Sequence, residues 1–381
     1  MMEQIYLDHA ATTPMDKAVV DAMYPVYADV FGNPSSVHAF GRKARQQLDA
    51  ARRVMADSIH ASEKEIIFTS GGTEADNLAL IGTAIANRHK GNHIITTTIE
   101  HHATLHTLEN LEQQGFEVTY LPVYEDGKIA LSDLEKALTD ETILVSTMFV
   151  NNETGVIQPV EEIGELLRDH QAYFHTDGVQ AFGLMDIDVK AMGIEMLTAS
   201  AHKINGPKGI GFLYVDEDVK LNALQFGGQQ ERKRRPGTEN VVGATGFKKA
   251  VERAMENKEE RRRDYHYYKE QFLEELRINN IDFDVNGDYD ATIASIVNVS
   301  FPGMHVETLL TNFDLEGIAA SSGSACTAGS VEPSHVLAAM FGENSICSTN
   351  SIRFSFGIYN TTENVKEAAR RVAKIIKRLS S

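Results

Sequence analysis

The chain has 381 residues, enough for two domains and a substantial buried core. Hydrophobic residues make up 42% and charged residues 24%, as in ordinary globular proteins, and a net charge of −18 argues against a nucleic-acid footprint of its own. Two cysteines cannot build a disulfide framework, no apolar stretch approaches a membrane span, and MMEQIYLDHAATTP lacks the pattern of a signal peptide. The expectation is a cytoplasmic protein in a reducing compartment, with no membrane and no direct nucleic-acid partner.

Residues 4–7 read as a short strand, followed by the polar turn His9 to Pro14. The turn-rich FGNPSSVHAF at 31–40 precedes an amphipathic helix with apolar positions at Ala44, Leu48, Ala51, Met55 and Ile59. From Glu65 onward strand and helix alternate. EIIFT at 65–69 is a strand, Ser70-Gly71-Gly72 a tight turn, and Thr73 opens a helix. Further strands fall at 93–98, 118–123, 142–150, 173–177, 196–200 and 209–215, with helices of 8 to 17 residues between most of them. This alternation predicts a mostly parallel seven-stranded sheet covered by helices, an α/β fold that binds ligands at the carboxyl ends of its strands. Ser70–Thr73, Glu100–His101, Asn151–Asn152, Asp177 and Ser200–Lys203 all fall at such ends.

Residues 244–278 read as one long helix or two nearly collinear ones. One apolar face holds Phe247, Val251, Ala254 and Met255, and the other Tyr265, Tyr268, Phe272 and Leu276. Between them ENKEERRRD is wholly polar, which fits a solvated bridge between domains. The expected division is a large domain at 15–260 and a small one at 1–14 and 261–381. The small domain alternates again, with strands at 293–300, near 317–321 and at 351–357, and helices at 305–316, 333–341 and 361–378. It reads as a smaller α/β or α+β unit.

Several polar stretches carry candidate chemistry. In TASAHKINGPKGIGFLYV, Lys203 sits between a strand end and a Gly/Pro-rich turn. Upstream, AYFHTDGVQ ends a strand in Asp177, with Gln180 three residues on. A lysine amine and a carboxylate so placed suit the two ends of a pyridoxal phosphate (PLP) ring, one as covalent anchor and one at the ring nitrogen. SGGTEADN at 70–77 opens a helix after two glycines, which suits a phosphate at Gly72 and Thr73 or a helix capped by Ser70. It lacks the Lys-Ser/Thr ending of a Walker loop.

His102 and His106 are four apart on one helix face, but no third ligand or HExxH is evident, and no metal is expected. His101 is better placed to stack on a flat cofactor or move protons. Asn33 is either a turn residue before proline or a substrate contact. Arg353, in SIRFSFG, is either the partner of a substrate carboxylate or a surface salt bridge. The basic run ERKRRPGTEN at 231–240 reads as a local loop gathering a phosphate rather than an RNA contact. Cys326 stands in SSGSACTAGS, ten small or polar residues that offer no core packing, and so reads as exposed and reactive. Cys347 reads as structural.

YLDHAATTP, FGNPSS, SGGTEADN, Glu100–His101, NNETG, HTDGVQ, SAHKINGPKG, RPGTEN, SGSAC and SIRFS run in this order through the chain. With them the chain resembles the NifS/IscS-like cysteine desulfurases, class-V aminotransferase-like enzymes of PLP fold type I. The resemblance implies that Lys203 holds PLP, Asp177 pairs with its ring nitrogen and Gln180 contacts its ring oxygen. It implies that His101 stacks on the ring and serves in acid–base steps. Thr73, Ser200 and His202 would bind the phosphate, joined by Thr238 from the other subunit of a homodimer. Asn152 and Arg353 would hold the substrate carboxylate, and Cys326 would take sulfur from L-cysteine as a persulfide, releasing L-alanine.

Other PLP enzymes of this fold, such as aminotransferases or selenocysteine lyases, differ from first principles only at the Cys326 loop. A non-enzymatic acidic scaffold is the alternative of another class. The resemblance also implies a sulfur-acceptor protein, a tRNA thiolase or an iron–sulfur scaffold. Ser381 ends the sequence three residues after Arg378, where members that feed scaffolds carry a longer tail. The expectation is therefore a thiolase that docks by the Cys326 loop and Arg232–Arg235.

Overall fold

The computed structural model describes residues 3–322 and 333–380. Cys326 lies outside the described residues. The chain begins with β1 (Ile5–Tyr6), α1 (Lys17–Asp29) and α2 (Ala39–Asp57). Ala44, Leu48, Ala51 and Met55 are the buried face of α2, because positions i, i+4, i+7 and i+11 recur on one side of a helix. The sequence reading missed α1, where Pro25 interrupts the pattern and only Val19 and Val26 are buried. Asp16 starts it by accepting the Ala18 N–H.

Next come β2 (Ile66–Thr69), α3 (Gly72–Asn87), β3 (His93–Thr97), α4 (His102–Gln113), β4 (Glu117–Leu121) and α5 (Leu131–Ala137). After them follow β5 (Thr142–Met148), α6 (Val160–Leu167), β6 (Tyr173–Asp177), β7 (Met196–Ser200) and β8 (Gly211–Val215). These strands form one seven-stranded sheet in the order β2-β8-β7-β6-β5-β3-β4. From β4 to β7 all neighbours are parallel, while β8 runs antiparallel to both β7 and β2. A parallel return needs a crossover of a dozen or more residues. Only residues 201–210 separate β7 from β8, so the chain reverses at once, and Lys203 sits in that reversal.

The remainder contains α7 (Val241–Glu256), α8 (Lys258–Ile278), β9 (Asp284–Val285), β10 (Ile296–Ser300), α9 (Val306–Leu315) and β11 (Ile318–Ala319). It ends with α10 (His335–Phe341), α11 (Cys347–Asn350), β12 (Ser351–Ser355) and α12 (Thr362–Ser380). Of the two readings of 244–278, two helices form, meeting at Asn257. Phe247, Val251 and Ala254 of α7 share the core of the large sheet with Phe174, Phe182 and Phe212. Tyr265, Phe272 and Leu276 of α8 lie in a second core with Val297, Phe354 and Val372. There β12, β10 and β9 form an antiparallel sheet, and β1 pairs with β11. Ile5 and Leu7 belong to that second core, so the N-terminal segment crosses from one core to the other.

The basic run after β8 is held by local partners. Glu231, Arg232 and Lys233 have φ values of 44°, 55° and 67°, a left-handed run that costs energy in residues with a Cβ. The buried Glu231 carboxylate receives both terminal nitrogens of Arg52 at 2.7 Å and the Phe68 N–H at 3.1 Å. Arg235 pairs with Glu74 at 2.7 Å, and Arg232 donates to the carbonyls of Glu63 and Lys64. A second constraint lies at Gly211, where a Cβ would stand 2.5 Å from Ala199 O and 2.9 Å from Gly71 Cα. The turn at 70–72 therefore rests directly on β8.

Glu231→Gln should destabilise the protein by about 3–5 kcal/mol, since it leaves the Arg52 charge buried without its counter-charge. Urea unfolding measures this, and a loss below about 1 kcal/mol, the usual value of a surface pair, would contradict it. Gly211→Ala should cost about 1–3 kcal/mol by overpacking the same edge. An unchanged unfolding midpoint would show that the turn at 70–72 is not pressed against the strand.

Candidate active site

A cavity of about 350 Å³ opens at the carboxyl ends of the parallel strands. Gly72, Thr73, His101, Asn152, Asp177, Gln180, Ser200, His202, Lys203 and Arg353 all line it. Asn33 and Thr238 do not. Asn33 is exposed, and its Oδ1 accepts the Ser35 N–H at 2.8 Å, so within this chain it shapes its own turn. Thr238 is exposed on the loop that follows the basic run.

Lys203 emerges from the single helical turn Ala201–Lys203 after β7. Its ammonium donates to the backbone carbonyls of Ala10 and Ala11. Gln180 also donates to Ala10 O, at 3.0 Å. The segment is fastened further by Thr13, whose N–H and hydroxyl both donate to His202 O, and by Asn205, which donates to Thr13 Oγ1 and Pro14 O. Sequence reasoning saw only a turn at 9–14, because a carbonyl acceptor belongs to every residue type and leaves no mark in a sequence.

Asp177 ends β6, and its Oδ1 accepts the Val179 N–H at 2.9 Å. Burial pushes its carboxyl up to about 6, against the pull of that N–H and of the Lys203 charge. It is therefore ionised at neutral pH. His101 caps α4, with Nδ1 accepting the Ala103 N–H at 3.1 Å. Burial, reinforced by Lys203, lowers its pKa to about 4. The ring is neutral at pH 7, and the accepting Nδ1 leaves the proton on Nε2.

Helix α3, whose start also lines the cavity, begins without a side-chain cap. Gly71, at φ 155° and ψ −174°, holds a conformation open essentially to glycine alone. Ser70 gives its N–H to Glu74 at 2.7 Å and does not cap the helix. The first N–H groups of an α-helix lack intrahelical partners. Those of Gly72 and Thr73 sit where Ser200 and His202 also line the cavity, a donor set that suits an anion.

Arg353 lies on β12 and is only 2% exposed, which excludes a surface salt bridge. It donates to Asp8 Oδ1 and Asn152 O, each at 2.8 Å, while its Nε is buried without a hydrogen-bond partner. Arg353 also lines the cavity, and the N–H groups left on its terminal nitrogens suit a ligand carboxylate. The described residues flanking the Cys326 segment are fixed close by. Ser321 pairs with Arg353, and Ser334 caps α10 and donates to the buried Glu153.

The structure adds a third imidazole that the sequence reading lacked. His335 is 4.8 Å, ring to ring, from His102, which stacks on His106 at 5.1 Å. Among the described residues no group of three or more His, Cys, Asp or Glu is arranged to hold a metal. Asp76 and Met148 also line the cavity and were missed. Cys347 is half-buried.

The residues present fit PLP. The cavity offers a buried anionic carboxylate, a lysine amine, a neutral imidazole and an uncapped helix N-terminus. The match is one of chemistry, an anion site and a carboxylate together in one cavity.

Known proteins resemble the chain over its whole length. A cysteine desulfurase IscS of Clostridium botulinum (strain Hall) is 47% identical over 379 residues, spanning 99% of this chain and 95% of that protein. IscS 1 of Bacillus subtilis (strain 168), provisionally named a cysteine desulfurase, is 57% identical over 379 residues and 100% of both chains. A solved NifS-like protein superposes with a TM-score of 0.92 at 34% identity, covering 99% of each chain. The aminotransferase class-V model matches residues 5–367, and the chain belongs to that family of PLP-dependent enzymes.

Proposed function

We propose that this protein is a PLP-dependent cysteine desulfurase that converts L-cysteine to L-alanine and places the sulfur on Cys326 as a persulfide. The observation that carries the reading is the convergence of Lys203, Asp177 and the open start of α3 in one cavity. Asp177 would face the ring nitrogen, Gln180 the ring oxygen and His101 the ring face. Gly72, Thr73, Ser200 and His202 would hold the phosphate. Arg353 and Asn152 would fix the substrate carboxylate, which their shared place in the cavity lining supports.

When bound, PLP supplies an electron sink for negative charge developing at the substrate Cα. Lys203 Nζ takes the Cα proton. The Cys326 thiolate attacks the substrate sulfur, so that an S–S bond forms as the substrate C–S bond breaks. The electron pair stays with the substrate carbon, which is protonated to give alanine. The products balance as one alanine and one Cys326 persulfide per cysteine.

The division into a large domain at 15–260 and a small one at 1–14 and 261–381 belongs to this reading; the second core is drawn from the small unit and supports it, although Ala10, Ile293, Ile296, Val336, Leu337 and Met340 pack into the first. A homodimer belongs to it as well. Tyr24, Tyr27 and Phe31 are 75–76% exposed and Phe226 is 92% exposed, more aromatic surface than a monomer usually leaves open. Thr238, exposed in its own chain, would complete the phosphate site of a partner subunit. The sulfur would pass to an acceptor protein of tRNA thiolation or iron–sulfur assembly, and the cytoplasm is the proposed location.

Lys203→Ala should lose the yellow colour of the purified protein, and borohydride should fix the wild-type cofactor to the peptide containing Lys203. Cofactor fixed to any other lysine would overturn the assignment. Cys326→Ser should fold and retain cofactor, yet form no persulfide and little alanine. Undiminished sulfur transfer by that variant, or alanine formation that needs a keto acid, would reject the desulfurase reading.

A further inference from the structure

Behind the floor of the cavity lies a group of buried polar side chains that the proposed reaction leaves without a task. Asp76, on α3, is 1% exposed, and its Oδ1 has no hydrogen-bond partner. It lines the same cavity as Asp177. His175 precedes Asp177 by two residues on the same face of β6 and is fully buried. Its Nδ1 is 2.9 Å from Ser146 Oγ, and its Nε2 is 3.1 Å from Thr198 Oγ1 and 3.7 Å from Asp76 Oδ1. Thr198, the neighbour of Asp177 across β6 and β7, also hydrogen-bonds the Asp76 carboxyl.

Ser146, His175 and Thr198 thus form one hydrogen-bonded chain that ends at Asp76. An acid proton on Asp76 and a bare Nε2 lone pair attract one another, so the chain accommodates an uncharged Asp76 with a neutral ring. Burial holds His175 neutral, down at about 3, so this chain brings dipoles to Asp76 and no positive charge. The other groups facing Asp76 are Asp177 from β6 and Glu100 from the turn after β3, both acidic. Lys203, the nearby cation, acts on Asp177. A second anion in this dry floor would meet the charge of Asp177 and no counter-ion of its own.

We infer that Asp76 is a positioning residue held as the uncharged acid, so that of the two carboxyls lining the cavity only Asp177 carries charge. As a neutral group it closes the Ser146–His175–Thr198 chain and braces the end of β6 without competing with Asp177 for a positive partner. Its meaning for the cofactor rests on the PLP reading above, whereas its protonation state does not.

The sign of the linkage gives the test. An acid that keeps its proton in the folded state and loses it in the unfolded one lowers stability progressively as pH rises above about 4. Thermal unfolding of the cofactor-free full chain is followed from pH 4 to pH 8 for wild type and Asp76→Asn. The variant should gain about 2–4 °C in Tm at pH 8, and the gain should shrink towards pH 4. Parallel curves, or a Tm lower at pH 8 than that of the wild type, would overturn the inference. Should Asp76→Asn not fold, Asp76→Ser, also uncharged, takes its place under the same criteria.

A second readout is the acid limb of PLP affinity, which follows the ionisation of Asp177. It should keep its position in the variant, and a shift to lower pH would show a charge on Asp76 and overturn the inference. A wild type that binds no PLP would defeat the cofactor reading while the unfolding curves still decide the state of Asp76.

Discussion

The contact on which the site depends is between Lys203 and two backbone carbonyls, those of Ala10 and Ala11. It sits where the N-terminal segment leaves the second core and crosses to the first. The same few residues receive Gln180, fasten to His202 and Asn205, and, through Asp8, hold Arg353. These two carbonyl acceptors carry no formal charge. A carboxylate in that place would bind the ammonium more tightly and oppose its release for proton transfer. The crossing segment therefore orients the lysine and the substrate-side arginine together.

Much of this architecture was legible because strand ends and chemistry coincide. The apolar runs at 93–97, 173–177 and 196–200 end in polar residues and that at 142–148 leads within three residues to Asn151; parallel pairing brings those ends to one edge, which the run at 66–69 joins through two antiparallel steps across β8. Ten of the expected site residues then share a cavity without any long-range contact having been foreseen. What the sequence could not show depends on pairing at a distance or on atoms common to all residues. The partner of Glu231 is Arg52, 179 positions away, so the basic run looked more available for ligands than it is. Arg353 could not be told from a surface residue until β12 was found buried beside β10, its own residues closed off from solvent. Helix α1 escaped notice because Pro25 and few buried positions blur its period. Asp76 and His175 lie within recognisable stretches, but their mutual approach is a property of α3 packing over β6 and β7.

The electrostatics of the cavity are those of a dry floor with one favoured anion. His101, His175 and His202 are all held neutral by burial, and Glu100 is pushed up to about 8 by the same cause. In a medium of low polarity each further charge would be felt strongly by its neighbours. Neutral imidazoles and acids therefore define the surroundings of Asp177 and Lys203 by their dipoles, and the charged pair stands out against them.

The left-handed run at Glu231–Lys233 has a bearing on assembly. Its shape is set inside one chain, by the buried Arg52 and the Phe68 N–H, before any second chain is present. A loop that had to fold on contact would lose conformational entropy at that moment and weaken association. Here the ordering is already complete in the folded monomer. In the proposed dimer, two such chains would meet with the approach to Thr238 already shaped, and encounter rather than loop folding would set the pace of their joining.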